Sequence, residues 1–181
     1  MRVLGVDPGS IKTGWGVIEC HGPRLTYLAS GTLDLGRKDP ASRLAAVYAG
    51  LAGVVREHCP TVLSLERNFL ARNVQSAFRI GEARGVAMAV AAAAGMSTSE
   101  YTPATIKKAV VGYGRADKAQ VQQAVLRLFD LERIPGEDEA DALASAVCHA
   151  LRHGFDERVA VALGRGAAIS RATARSLLDD K

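Results

Sequence analysis

Apolar residues near the start of the chain occur in short runs separated by turn-forming residues, which is the pattern of β-strands. One run covers residues 2–6 and stops at Asp7-Pro8-Gly9-Ser10, and an extended pattern resumes over residues 14–18. A third strand is predicted over residues 25–33, where Thr and Tyr side chains favour β structure. Three successive strands with short connections predict an antiparallel meander.

After Pro40 the apolar residues recur every three or four positions, which indicates one apolar face of a helix. That face comprises Leu44, Val47, Tyr48, Leu51, Val54 and Val55. The helix is predicted to end near Cys59, a strand follows over residues 61–65, and a second long helix spans residues 74–94. This alternation of strands and helices predicts that the later strands join the sheet in parallel orientation.

The C-terminal half contains a fifth predicted strand over residues 97–101, followed by three helices. Thr102 before Pro103 is typical of a helix N-cap with proline at the first helical position. The next helix has its apolar face at Val121, Ala124, Val125 and Leu128. The fold class predicted from this order of elements is α/β, with a mixed sheet flanked by helices.

The last helix is predicted to run from about Asp138 to about His153. Apolar periodicity weakens beyond Gly154, so we predict one domain over residues 1–153 and a C-terminal tail or irregular appendix over residues 154–181. A chain of 181 residues with 48% hydrophobic and 23% charged residues is an ordinary globular protein, which excludes disordered and fibrous classes.

No stretch of the chain reaches the roughly 20 apolar residues that a membrane span needs. Asp7 and Pro8 interrupt the apolar start, where a signal peptide would need an unbroken segment, so we expect a cytoplasmic protein. Three cysteines, Cys20, Cys59 and Cys148, include no C-x-x-C pair and are therefore predicted to be reduced thiols.

The net charge of +4 is unevenly distributed along the chain. Residues 67–118 contain eight basic and three acidic residues, whereas residues 130–141 contain six acidic residues and only Arg133 as a base. A basic segment beside a dense acidic one predicts a surface for an anionic ligand next to bound cations.

Four carboxylates are candidates for that cation site. Asp7 and Glu66 each end an apolar strand, and Asp138 and Asp141 stand three residues apart at the start of the last helix. Singly, each has an ordinary explanation in solvation or helix capping. Together they would repel one another unless cations neutralised them, and oxygen ligands favour Mg²⁺ or Mn²⁺ over zinc. Paired divalent ions of this kind cleave phosphodiesters.

The loop of residues 67–73 places Phe69 among basic and amide side chains, including Arg72. Phe69 either stacks on unpaired bases, which is worth about 1–3 kcal/mol per base, or packs into the core. Arg72 is a candidate DNA-binding residue.

Two further motifs have structural interpretations. His149 and His153 stand four residues apart without the glutamate of a zinc-binding H-E-x-x-H motif, and we expect the dipole of a nearby helix C-terminus to explain them. Gly81 and Gly85 lie on a small-residue helix surface that packs either within the core or across a subunit interface.

The chain resembles the bacterial RuvC family of Holliday-junction resolvases over residues 1–153. The resemblance rests on Asp7-Pro8-Gly9-Ser10, Leu65-Glu66 before a loop with Phe69, Gly81-x-x-Arg84-Gly85-Val86-Ala87, Val110-Val111-Gly112-x-Gly114, and Asp138-x-x-Asp141-Ala142-Leu143-Ala144. It implies an RNase H-like fold with a five-stranded mixed sheet. It also implies a structure-specific endodeoxyribonuclease of homologous recombination and repair.

The resemblance further implies a homodimer that nicks opposing strands of a four-way DNA junction and leaves 5′-phosphate and 3′-hydroxyl ends. Asp7, Glu66, Asp138 and Asp141 match the family's four catalytic, metal-binding carboxylates, with two Mg²⁺ ions expected per site and Mn²⁺ as the other suitable ion. Phe69 matches the aromatic residue at the opened junction, and Lys107 and Lys118 match basic residues near the scissile phosphate. A link to the RuvA and RuvB branch-migration proteins is implied as well.

Two alternatives remain at this point. Asp7-x-Gly9 with Gly14 is similar to the first phosphate loop of actin-like ATPases and kinases, although 181 residues are too few for the two domains expected of that class. The second alternative is a catalytically silent protein that binds branched DNA on the same scaffold.

Overall fold

The computed structural model describes residues 1–36, 38–67 and 74–162, with side chains described as far as residue 154. Ten elements follow one another along the chain. They are β1 Arg2–Pro8, β2 Lys12–His21, β3 Arg24–Asp34, α1 Pro40–His58, β4 Val62–Glu66, α2 Val74–Ala93, β5 Ser97–Tyr101, α3 Pro103–Val111, α4 Lys118–Phe129 and α5 Glu137–Ala162.

The five strands form one sheet in the order β3-β2-β1-β4-β5. Strands β1, β2 and β3 pair antiparallel, which confirms the predicted meander. Strand β4 pairs parallel with β1, and β5 pairs parallel with β4, as the alternation of strands and helices predicts. The carboxyl ends of β1, β4 and β5 therefore lie at the same end of the sheet.

The sheet has helices on both faces, because alternate residues of a strand point to opposite sides. On one face Leu4, Val6 and Leu65 pack with residues of α1 and α2 in one apolar cluster. On the other face Val3 and Ile18 pack with residues of α3, α4 and α5 in a second cluster. The α/β class and the mixed five-stranded sheet flanked by helices are confirmed.

Local capping fixes several helix ends, and the predicted N-cap of α3 is confirmed. The Thr102 hydroxyl accepts a hydrogen bond from the Thr105 N–H over 3.2 Å, and Pro103 is the first residue of α3. Helix α4 begins with a reciprocal pair, in which Asp117 and Gln120 each bind the other's backbone N–H. Lys118 is thereby held at the first position of α4.

The predicted end of the last helix at His153 is wrong, because α5 continues to Ala162. Gly154 weakens a helix by about 1 kcal/mol relative to alanine, but it does not end one when good helix formers follow. Among the described residues, no helix combines the length and the apolarity that crossing a bilayer requires. The three cysteines are free thiols, as predicted.

Helix α5 lies very close to the sheet because three strand positions beneath it carry no side chain. A Cβ on Gly5 would collide with the Ala142 carbonyl, and a Cβ on Gly14 would collide with the Asp138 carbonyl. A Cβ on Gly16 would lie 2.6 Å from the Leu143 side chain. We call Gly5, Gly14 and Gly16 the glycine strip.

A buried hydroxyl pair fixes the same helix to β4. The Ser64 Oγ donates to the Ser145 carbonyl over 2.8 Å and lies 2.9 Å from the Ser145 Oγ. The glycine strip and this pair set both the height and the register of α5 over the sheet. The first turn of α5, with Asp138 and Asp141, is consequently placed over the end of β1.

Candidate active site

The structure brings the four predicted carboxylates to one end of the sheet. Val6 of β1 pairs with Leu65 of β4, so Asp7 and Glu66 follow directly on neighbouring parallel strands. Asp7 also pairs with Gly14, which lies directly beneath Asp138. Asp141 follows three residues later on α5. Two strands and one helix thus supply the four groups.

Burial and mutual repulsion control the protonation of these carboxylates. Burial raises the pKa of the Asp7 carboxyl to about 7, and the negative charges of Asp141, Glu66 and Asp138 add to that rise. Burial likewise raises the pKa of Glu66 and of Asp141, and Asp141 adds to the rise at Glu66. The four carboxylates therefore share one electrostatic environment that lacks enough positive charge to balance it.

The donor set fits a hard divalent cation by its chemistry, since all four groups are carboxylates. Their arrangement does not form a complete metal-coordination site. In the described part of the chain, no three Asp, Glu, His or Cys side chains are arranged to hold one ion. A bound cation would draw Asp7, Glu66, Asp138 and Asp141 together.

Two lysines from the neighbouring helices stand beside the carboxylates. The Lys118 Nζ donates to the Glu137 carboxylate over 2.7 Å, and this hydrogen bond raises the pKa of Lys118. The charge of Lys118 lowers the pKa of Asp7, Glu66 and Asp141, against the larger effect of burial. Lys107 of α3, which is half-buried, acts in the same direction on Glu66 and Asp141.

The loop that precedes α2 completes the set of predicted DNA-binding residues. Phe69 and Arg72 belong to residues 68–73, which lie outside the described residues.

Glu139, at the start of α5 among the other acidic residues, has its own binding partners. Glu139 is 4% exposed, and its carboxylate binds Arg133 through two hydrogen bonds of 2.9 and 3.0 Å and Ser30 through one of 2.6 Å. Burial opposes ionisation of Glu139, but these hydrogen bonds and one from the Gly136 N–H leave its pKa below the usual value. Glu139 is therefore a structural anion.

Sequence reasoning did not assign a role to Arg84 of α2, which holds the end of β4. Its Nη1 donates to the Glu66 carbonyl over 2.9 Å, and its Nη2 lies 2.5 Å from the Glu100 carboxylate. Glu100 also pairs with the Arg67 Nε over 3.3 Å. Arg84 stands in a motif quoted for the resemblance, but its partner here is a backbone carbonyl, which a sequence pattern does not reveal.

His149 is a neutral core residue. Its Nδ1 lies 2.9 Å from the Tyr101 hydroxyl, and burial together with the charge of His153 lowers the pKa of His149 to about 4. The structural interpretation of this residue agrees with the fold. The proposed reason for it is wrong, because α5 continues to Ala162 and His149 is not near a helix C-terminus.

Comparisons with known proteins agree on one family. The family model described as "Crossover junction endodeoxyribonuclease RuvC" matches residues 3–149. Curated proteins of that name from Burkholderia lata and Paraburkholderia phytofirmans are 47% and 46% identical to this chain over 154 residues, which is 85% of this chain and 84% of each relative.

Solved structures agree with this result. The structure described as "T. thermophilus RuvC in complex with Holliday junction substrate" matches with a TM-score of 0.80 at 30% identity, and covers 86% of this chain and 96% of that one. The yeast mitochondrial Holliday junction resolvase Ydc2 matches with a TM-score of 0.64 at 12% identity, over 87% of this chain and 82% of that one. The second match shows the shared fold alone.

Proposed function

The chain belongs to the family of the crossover junction endodeoxyribonuclease RuvC, and we propose that it resolves Holliday junctions with Asp7, Glu66, Asp138 and Asp141 as ligands of divalent metal ions. Members of this family are metal-dependent nucleases that act on branched DNA. The matched family is not that of the actin-like ATPases, so the phosphate-loop alternative is set aside.

One observation carries the assignment of the four carboxylates. They reach one end of the sheet from β1, β4 and α5, and the negative charges of Asp141, Glu66 and Asp138 add to the rise that burial causes in the pKa of Asp7. Protein folds rarely concentrate uncompensated negative charge, and where they do, the charge serves a function. A pair of Mg²⁺ ions, with Mn²⁺ as the other candidate, is the charge that would balance this site.

Asp7, Glu66, Asp138 and Asp141 would hold two divalent ions, which would supply an activated water and stabilise the leaving 3′ oxygen, so that the products carry 5′-phosphate and 3′-hydroxyl ends. Asp7 interacts electrostatically with Glu66, Asp138 and Asp141 and is the proposed shared ligand. Lys107 and Lys118 are proposed to contact the phosphate charge. Lys118 donates a hydrogen bond to Glu137, and we propose that a phosphate replaces Glu137 as its partner when DNA binds.

Phe69 and Arg72 are proposed to act at the opened junction because their loop follows Glu66 directly in the chain. Phe69→Ala is expected to impair cutting more than binding. An unchanged cleavage rate would assign Phe69 to the core instead.

A homodimer is the proposed assembly, and the outer face of α2 supports it. Val74 and Phe78 are 71% and 69% exposed, and nothing within the described chain lies within 4 Å of a Cβ placed on Gly81 or Gly85. These residues and Met88 fall at spacings of three and four, which forms one apolar stripe with small residues at its centre. The proposed occupant is the same stripe of a second copy.

The link to RuvA and RuvB is proposed on family membership alone.

Cleavage of a synthetic four-way junction tests the function, with linear duplex of the same sequences as the control substrate and with Mg²⁺, Mn²⁺ or EDTA. We expect symmetric nicks in the junction alone, and only with metal. Asp7→Asn should bind the junction and not cut it, whereas Asp130→Asn, an identical change at an exposed helix end, should cut normally. Equal loss of binding and cutting in Asp7→Asn would contradict the ligand role. Tight binding without cutting by the wild type would favour the silent binder.

A further inference from the structure

A second group of cations lies at the catalytic end of the sheet, on the face opposite α5. It surrounds a cavity of about 450 Å³. The cavity is lined by Ser10, Ile11, Gly36, Lys38, Arg43 and Arg79. We call this feature the basic cavity.

The strand topology explains why the basic cavity and the carboxylates share one end of the sheet. The turn with Ser10 and Ile11 comes directly after β1, the strand that ends in Asp7 and Pro8. Lys12 pairs with Asp34, so β3 also ends there, and α1 begins shortly afterwards at Pro40. The first turn of α1 and the early part of α2 complete the walls.

Arg43 makes the cavity an anion site rather than a crevice in the surface. The residue is 5% exposed, and its Nη2 pairs with the Glu82 carboxylate over 3.0 Å. No other hydrogen bond of this guanidinium occurs among the described residues, so its remaining N–H donors are available to a ligand. A buried cation with one half-exposed acid as partner favours a second anion.

The other charged groups around the cavity strengthen this preference. Lys38 and Arg79 are exposed and form no ion pair within the described chain. The nearby acids are already bound to backbone amides: Asp34 accepts from the Gly36 N–H over 2.9 Å, and Asp39 accepts from the Ser42 N–H over 3.0 Å. Three cations therefore face the cavity with donors to spare.

We propose that the basic cavity binds a phosphodiester of the DNA backbone, at a place separate from the phosphate that Lys107 and Lys118 bind. Those lysines belong to α3 and α4 on one face of the sheet, whereas Lys38, Arg43 and Arg79 belong to the α1 and α2 face. Cations thus flank the acidic centre on both sides. A strand that crosses this end of the sheet is held on each side of the phosphate that is cut. This inference rests on the proposed nuclease function.

Junction binding in EDTA, measured by fluorescence anisotropy over a series of NaCl concentrations, tests the proposal. Arg79→Gln, Lys38→Gln and the double variant remove exposed charges without disturbing Arg43. Arg24→Gln is the matched control, because Arg24 is exposed and lies at the opposite end of the same sheet. Arg79→Lys keeps the charge and should keep most of the affinity.

We expect each single variant to bind the junction several-fold more weakly, with a salt slope shallower by about one for each phosphate that the variant no longer binds. The melting temperature of each variant should equal that of the wild type. A double variant with the affinity and salt slope of Arg24→Gln would overturn the proposal. If the wild type itself neither bound nor cut the junction, the nuclease function would fail instead, so the two failures are distinguishable.

Discussion

The guanidinium of Arg84 donates from Nη1 to the backbone carbonyl of Glu66 over 2.9 Å and joins α2 to the last residue of β4. Its Nη2 also pairs with Glu100 of β5 at 2.5 Å. One side chain, which is 22% exposed, therefore links a helix and two strands at the point from which the Glu66 carboxylate projects. Arg84 acts on the centre by positioning Glu66.

Replacing Arg84 should reduce cleavage more than junction binding. Arg84→Gln loses the paired hydrogen bonds, and misplacement of a metal ligand by about 1 Å costs on the order of 10²-fold in rate. Arg84→Lys keeps one hydrogen bond and should fall between Arg84→Gln and the wild type. Single-turnover cleavage over a range of Mg²⁺ concentrations is the measurement, and the half-maximal Mg²⁺ concentration should rise. An unchanged half-maximal concentration, with Arg24→Gln as the reference, would remove the positioning role.

The carboxylates should make the metal-free protein less stable as pH rises. Asp7 loses its proton near 3.8 when unfolded and near 7 when folded, so the free energy of unfolding falls between pH 4 and pH 7 and is level above. Asp7→Asn removes this cost, which is on the order of 4 kcal/mol. We expect its melting temperature in EDTA at pH 8 to exceed that of the wild type by several degrees.

The effect of Mg²⁺ on the melting temperature provides a complementary test. At pH 8 it should raise the melting temperature of the wild type, because cation binding to the folded state neutralises the repulsion. The rise should be smaller in Asp7→Asn and undiminished in Asp130→Asn. Equal melting temperatures for the wild type and Asp7→Asn in EDTA at pH 8 would show that Asp7 bears no such cost.

Gly14→Ala should damage both stability and cleavage. The added Cβ collides with the Asp138 carbonyl, which belongs to a helix backbone that cannot give way locally. We expect a loss of roughly 1–3 kcal/mol in the free energy of unfolding, measured by urea denaturation, and a larger proportional loss of cleavage. Gly53→Ala on α1 is the matched control, because its Cβ meets only the end of the Arg56 side chain at 3.9 Å. That control should be neutral or slightly stabilising.

Gly85→Glu should separate the proposed dimer without unfolding the subunit. A side chain at this position enters open space in the single chain but would place a charge in the centre of the apolar stripe on α2. Sedimentation equilibrium should give about twice 19.1 kDa for the wild type and for Gly53→Glu, and the monomer mass for Gly85→Glu. A dimeric Gly85→Glu variant would place the interface elsewhere.

Hydrophobic periodicity was sufficient to predict the elements of this fold, because each strand and helix buries one regular face. The Thr102-Pro103 start of α3 and the parallel addition of β4 followed from local rules alone. The end of α5 did not, since Gly154 weakens a helix only slightly and the residues after it determine whether the helix continues.

The sequence predicted which acids form the site but not which residues surround them. Periodicity placed Asp7 and Glu66 at strand ends, and the spacing of Asp138 and Asp141 together with the family motif selected these two acids, but the sequence did not show what binds the neighbouring Glu139. The structure separates their roles, because Arg133 and Ser30 bind the Glu139 carboxylate and leave Asp138 as the proposed metal ligand. The basic cavity was missed for the same reason, since Lys38, Arg43 and Arg79 come from three separate segments.

The glycine strip has a consequence for how such a nuclease can change over time. The separation between strand carboxylates and helix carboxylates depends on Gly5, Gly14 and Gly16, which bear no functional group. A mutation there changes the spacing of the carboxylates in the proposed cation site while every acidic residue is retained. Retention of the four acids alone therefore does not establish that a related protein still cuts DNA. A chain that keeps all four acids but loses one of these glycines is a candidate for a resolvase that has become a DNA-binding protein.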